Sequence, residues 1–200
     1  MIHPSTELRF VSPEIGYGVF AKEFIPKGTV VYVKDSLEIE VTPKKYLKLD
    51  EYARSVVNKY SYRDERGYRI VSWDAAKYVN HSCNRNTIST GYGFEIALRD
   101  IQPNEEITDE YAIFNIEQNF ACGCDSKNCR KRISPSDFDS LFEKWDNEIK
   151  DAMSNYQNVE QALEQYIDEK LFQKLKKYLE TGKEYKSVYS LRLKNEKVLH

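Results

Sequence analysis

Three of the four cysteines fall within eight residues, in "CGCDSKNC" from Cys122 to Cys129, and the fourth, Cys83, lies in "YVNHSCNRN" about forty residues earlier. In a reducing compartment disulfides are rare. Clustered thiols there suit a tetrahedral metal instead, zinc above all, which takes four soft ligands. The Cys-x-Cys-x4-Cys run offers three sulfurs and only Cys83 offers a fourth from cysteine. A site built from Cys83, Cys122, Cys124 and Cys129 would pin two distant segments together, and few folds tolerate that restraint. Four unrelated thiols are the alternative reading.

The rest of the composition narrows the class. A chain of 200 residues, 40% hydrophobic and 31% charged, can bury a sizeable core, and it reads as globular, one domain plus an appendage. No apolar run approaches the roughly 18 residues of a membrane span. The opening "MIHPSTELRF" lacks the basic-then-apolar pattern of a secretion signal, so the expected location is cytoplasmic. The net charge is −2, and from Arg130 to His200 there are 14 Lys or Arg against 13 Asp or Glu. A duplex-binding surface would be clearly basic, so direct nucleic-acid binding is not expected.

Periodicity and turn chemistry predict many short strands up to about residue 130. "EIGYGVFAKEFIPKGTVVYV" reads as strand, turn, strand, with the β-branched run Thr29–Val33 at its end. "NKYSYRDERGYRIVSW" reads as a hairpin bending at "DERG". In "FEIAL" the alternation of Phe94, Ile96 and Leu98 predicts a half-buried strand. A helix is expected over Val41–Val57, with Pro43 near its start. After Arg132 the pattern turns helical: Ser134 as N-cap, Pro135 at the first position, then Phe138, Leu141, Phe142, Trp145 and Ile149 at helical spacing. A second helix is expected over Val159–Leu179, stopped by Gly182. These stripes read as packing surface.

Four signals stand in one order: "GYGVFA", "YVNHSCNRN", "EEITDEY" and "FACGCDSKNC". Together, from about Leu8 to Arg130, they resemble the SET-domain protein lysine methyltransferases with their post-SET zinc segment. The compact layout is similar to the free-standing SET proteins of bacteria and some viruses. The resemblance implies a mainly β fold of several small curved sheets with a knot-like C-terminal threading. It implies a SET domain over 8–116 and a zinc-binding post-SET segment over 117–132. The helical C-terminal extension is then 133–200, appended to them.

The same resemblance implies the chemistry. Ile15, Gly16, Tyr17 and Gly18 would lie against S-adenosylmethionine, the glycines letting the backbone come close. Asn80 and His81 would hold the cofactor's amino acid end and adenine, and Phe120 would pack on the adenine. Tyr111 would stand beside the methyl-transfer point as the catalytic residue. A lysine-bearing protein would be the substrate, and the enzyme nuclear or chromatin-associated were that protein a histone.

The chain departs from the family pattern at three positions. Glu110 replaces the Asp before the tyrosine, Asp109 replaces a Phe or Tyr linked to how many methyls are added, and Asn104 replaces a turn glycine. Asn tolerates positive φ, so the last is mild. Asp109 and Glu110 are neighbours on a strand and should point to opposite faces, which argues against a shared acid–base site. Asp109 is placed at the channel mouth or near the substrate ammonium. Two other functions are compatible with the motifs: a catalytically inactive, zinc-stapled protein-binding module, and a zinc-dependent nucleic-acid binder that the balanced charge disfavours.

Overall fold

A computed structural model describes residues 1–194. The strands are short and turn-rich, as the sequence predicts. β1 (Thr6–Ser12) and β2 (Gly16–Ala21) form a hairpin, β3 (Val30–Val33) and β4 (Ile39–Val41) follow, and then α1 (Pro43–Tyr46) and α2 (Glu51–Tyr60). The "DERG" hairpin is β5 (Ser61–Arg63) and β6 (Arg69–Val71). Next come β7 (Asn80–His81), β8 (Thr87–Ser89), β9 (Phe94–Ala97) and β10 (Glu106–Asp109). β11 (Phe120–Ala121), β12 (Arg132–Ile133), α3 (Asp137–Met153) and α4 (Glu169–Thr181) complete the order.

Four small sheets result, ordered β1-β2-β10-β7, β3-β9-β8, β4-β6-β5 and β11-β12. In the first, β10 is central: it pairs antiparallel with β2 and parallel with β7, Thr108 opposite Asn80 and Asp109 opposite His81. This parallel pairing of two segments far apart in sequence sets Asn80 and His81 beside the residues leading to Tyr111. At the turn before β10, Asn104 has φ 69°, the conformation its substitution for glycine allows.

Two cores hold the sheets. The smaller gathers Val19, Ala21 and Ile107 against Val31, Ala97 and Ile101. The larger joins Val30, Val33, Phe94 and Ile96 to Trp145, Ile149, Leu175 and Val188. β3 therefore faces both cores, which is why "VVYV" carries no polar alternation. β9 was expected to be half-buried, yet all four of its residues are buried, Glu95 included, because β3 and β8 flank it and α3 covers one face.

The helices differ from expectation in bounds and in role. The predicted Val41–Val57 helix is broken: Thr42 caps α1, and Asp50 caps α2 by accepting from the Ala53 N–H at 2.7 Å. A side-chain oxygen at Asp50 competes with the helix for its own first turn. The same device shortens the second predicted helix, since Asp168 accepts from Lys170 and Leu171 N–H and starts α4 ten residues late. Its stop is as expected, with Gly182 at φ 67°. α3 begins at Asp137, not after Ser134, because the Asp137 carboxylate takes the Ser134 N–H at 3.1 Å.

The expected appendage is no separate body. Trp145 and Leu175 are fully buried against the strands, and the segment after α4 lies so close to Gly91 that a Cβ there would stand 2.4 Å from the Lys186 carbonyl oxygen. Asn115, in a left-handed turn at φ 51°, donates to the Arg63 and Leu191 carbonyls and accepts from the Leu193 N–H at 2.9 Å. Residues 195–200 of the expected extension lie outside the described part. Sheet order by itself does not establish the knot-like threading.

Candidate active site and cysteine cluster

The ligand atoms of Cys83, Cys122, Cys124 and Cys129 all lie within 4.8 Å of one another. Cys83 and Cys122 sulfurs are 3.8 Å apart, close to the roughly 3.8 Å edge of a tetrahedron with metal–sulfur bonds of about 2.3 Å. Backbone N–H groups point at the sulfurs: Cys83 N–H at Cys124, Arg130 N–H at Cys83 and Lys131 N–H at Cys129, at 3.3–3.4 Å. Such donors favour thiolate over thiol. Although burial opposes it, bonds from Ser126 and the Cys83 N–H bring Cys124 down to about 5. The donor set fits zinc, and the distant Cys83 is the fourth member.

The cluster touches the "NHSC" stretch directly. His81 Nε2 lies 3.5 Å from the Cys83 sulfur, and Nδ1 faces the Asp109 carbonyl at 2.9 Å and the Tyr111 N–H at 3.2 Å. Burial lowers the His81 pKa, outweighing the Glu110 carboxylate, so the ring is neutral near pH 7. Asn80 donates to Glu106 at 2.7 Å and to the Tyr17 carbonyl at 3.1 Å, tying β7 to the glycine-bearing strand.

Tyr111 joins two surfaces. On one side its ring stands 5.4 Å from His81 and 6.3 Å from Phe120, and His81 is 6.5 Å from Phe120. On the other it lines a cavity of about 430 Å³, shared with Tyr62, Phe114, Val79, Glu95 and Asp109. Its hydroxyl donates to the Val79 carbonyl at 2.7 Å, which fixes the ring. Burial first, then the Asp109, Glu106 and Glu95 carboxylates, raise its pKa well above the usual phenol range. Tyr111 therefore stays protonated, a donor and positioning group rather than a base.

Residues 16–112 match the family model for the SET domain. These residues are a SET domain, related to those of SET-domain histone lysine methyltransferases. Its relatives include the variant-silencing SET domain-containing protein of Plasmodium falciparum, 35% identical over 132 residues, covering 57% of this chain and 5% of the relative. Histone-lysine N-methyltransferase trr of Drosophila melanogaster is 27% identical over 128 residues, 58% of this chain and 5% of that protein. Human histone-lysine N-methyltransferase 2D is 28% identical over 130 residues, 58% and 2% respectively. The chain thus spans a few per cent of the length of these relatives. Among solved structures, KRYPTONITE in complex with mCHG DNA and SAH aligns with TM-score 0.43 and 24% identity, over 64% of this chain and 28% of that one. The methyltransferase domain of human histone-lysine N-methyltransferase SETMAR aligns with TM-score 0.42 and 18% identity, over 66% and 58%.

Within this SET domain the expected residues fall into two groups. Asn80, His81, Tyr111, Phe120 and the cysteines converge. Ile15 and Tyr17 lie on the adjoining strand edge, each about half exposed at 51% and 49%. Gly16 has φ 88° and open space around it, whereas a Cβ on Gly18 would stand 2.4 Å from Glu106 Oε1 and 3.1 Å from Asn80 Nδ2. The Asn80–Glu106 bond therefore demands glycine at 18.

Asp109 and Glu110 do point apart, and each has a use the sequence did not show. Glu110 is buried. It caps the turn at Tyr111–Phe114 and makes a paired contact with Arg130, at 2.6 and 2.8 Å. Arg130 follows Cys129, so this ion pair clamps the cysteine segment to the turn that carries Tyr111; an arginine directly after the last cysteine was the available signal. Asp109 is 1% exposed and lies on the cavity wall, not at a mouth. Glu95, its partner there, had no signal at all, being one polar residue in an apolar strand.

Proposed function

We propose that this SET domain is an S-adenosylmethionine-dependent protein lysine N-methyltransferase. The observation that carries the reading is Tyr111, one ring shared between the His81–Phe120 surface and a deep cavity. A methyl donor on the first side and an amine entering from the second would meet at its hydroxyl. In this reading Ile15, Gly16, Tyr17, Gly18, Asn80, His81 and Phe120 hold the cofactor, and Cys83, Cys122, Cys124 and Cys129 hold zinc. The SET domain covers about 8–116, the zinc segment 117–132, and the chain between Tyr111 and Phe120 threads in the knot-like manner of the family. The compartment is reducing: cytoplasmic, or nuclear where the acceptor is a histone, as the relatives' names suggest.

The chemistry asked of these residues is modest. The cofactor supplies an electrophilic methyl on a sulfonium. An acceptor lysine with an ordinary pKa of about 10.4 must be neutral to attack, which near pH 7 costs roughly 4–5 kcal/mol. The buried cavity lowers an amine's pKa by desolvation, and a neighbouring positive charge does the same. Tyr111, held by Val79, orients the amine, and the gain comes from alignment.

The test is incubation of purified protein with labelled S-adenosylmethionine and core histones or whole-cell lysate, followed by mass spectrometry. Label on lysine in a protein acceptor is the expected result. Cofactor binding without label in any acceptor would instead leave a zinc-stapled binding module.

A further inference from the structure

Glu95 and Asp109 come from β9 and β10, in different sheets, and their carboxyl groups meet on the wall of the cavity that Tyr111 lines. Two buried carboxylates cannot both be ionised side by side, so one proton is shared between them. Asp109 Oδ1 accepts the Glu110 N–H at 2.6 Å, and apart from the proton shared with Glu95 no donor reaches the buried Oδ2 among the described residues. The position is one that the family fills with an aromatic ring. The pair and Tyr111 line one cavity large enough for a side chain, and the single negative charge left on the pair favours a cation that enters it.

We propose that the Glu95–Asp109 pair is the proton acceptor of this enzyme. It receives the acceptor side chain as its ammonium and takes one proton from it before methyl transfer. The inference rests on the methyltransferase reading and gives that site its base. The balance is simple. An Nζ–H bond breaks and an O–H bond forms on the pair, which passes from one negative charge to none. The amine's lone pair then forms the N–CH3 bond as the S–CH3 electrons return to sulfur. The product leaves as an N-methylammonium, and the pair returns its proton to solvent. Tyr111, protonated throughout, holds the amine between the pair and the methyl group.

The charged and titratable groups that face the pair or line its cavity are Arg85, Glu110, Tyr111, Tyr62, His81 and the amino group of Met1, with Tyr32, Lys59, Arg63, Arg69, Lys77 and Glu117 on the cavity wall. Of these, Arg85 is already engaged by Glu148 and lies 3.7 Å from Glu110, and Tyr62 and Tyr111 have raised pKa values.

The test compares wild type with the isosteric variants Asp109→Asn and Glu95→Gln in single-turnover methyl transfer to core histones between pH 6 and 10. Binding of n-butylammonium and of S-adenosylmethionine to the same proteins is followed by calorimetry. In the wild type, the rate rises through neutral pH and levels off. Both variants are expected to be at least about a hundredfold slower at pH 7 and to recover towards pH 10, where free amine forms unaided. They should bind n-butylammonium at least about tenfold more weakly and the cofactor equally well. Superimposable pH profiles with equal n-butylammonium affinity would overturn the proposal. Pair-dependent n-butylammonium binding with no methyl transferred by wild type would overturn the base role by removing the reaction, and would separate that failure from an idle pair. Should Asp109→Asn lose its fold, Glu95→Gln reads the same pair from the other strand.

Discussion

The two sides of Tyr111 are built in opposite ways. On one side, His81 ends a two-residue strand at the edge of the four-stranded sheet and Phe120 lies on a two-residue strand of the two-stranded sheet, and the cysteine sulfurs and the Glu110–Arg130 pair hold them. On the other, Glu95 and Asp109 sit on strands sealed by both apolar cores. The first side is held by a few strong point contacts and can come apart locally. The second can change only with the whole fold. A ligand entering from the first side meets adaptable walls, and one entering the cavity meets walls already set.

That contrast breaks most sharply at the metal. Structural zinc contributes about 10–16 kcal/mol of apparent binding free energy in small peptides, enough to order a segment without a core. Chelation, or Cys124→Ser, is therefore expected to abolish S-adenosylmethionine binding in calorimetry while most of the circular dichroism survives. Elemental analysis that finds no zinc, or normal cofactor binding by metal-free protein, would erase the difference between the sides.

The core side is tested through a helix that touches no ligand. Trp145→Ala should remove about 3–5 kcal/mol of stability in a single urea transition, because α3 shares its core with β3 and β9. Two separate transitions would mean that the helices fold as their own unit. At the boundary itself, Tyr111→Phe should keep cofactor affinity and lower turnover at least about tenfold, roughly 1.4 kcal/mol of barrier. Unchanged turnover would remove Tyr111 from the reaction.

The smallest effect is a pH dependence. Burial, aided by the Glu110 carboxylate, pushes Asp109 up to about 7, against an unfolded value of about 3.9. A carboxyl whose folded pKa is raised favours the fold when protonated, so its contribution is present at acid pH and lost as pH rises through 7. The thermal midpoint of Asp109→Asn should therefore gain on wild type between about pH 4 and pH 7 and hold level above that. The gain should be a few degrees, at about 2–4 °C per kcal/mol for a chain this long. A constant offset would place the titration elsewhere.

Legibility in the sequence follows the same division. The cysteines were readable because their spacing carries their chemistry, and the glycine turn and Asn104 because φ does, whereas Asn80, His81 and Tyr111 stood out only through the resemblance of four ordered motifs to a family. Glu95 was not readable: one carboxylate in "FEIA" means nothing until β10 brings Asp109 to it from another sheet. Asp109 drew attention only as a departure from pattern, and of its two expected places, at a channel mouth or near the substrate ammonium, the first missed the burial that two strands impose. The helix bounds failed where Asp50, Asp137 and Asp168 spend side-chain oxygens on nearby N–H groups, a competition that hydrophobic periodicity does not record.

The clasp at Asn115 has a consequence for how the protein is made. Its amide stands four residues beyond Tyr111, yet its partners include the Leu191 carbonyl and the Leu193 N–H. During synthesis every strand leaves the ribosome before those partners exist. The turn that carries Tyr111 must wait, half-satisfied, through some eighty further residues of translation. Contacts so distant in sequence form slowly. The turn that carries Tyr111 is thus completed only after a segment some eighty residues later has been made, a built-in delay between making that tyrosine and fixing its place.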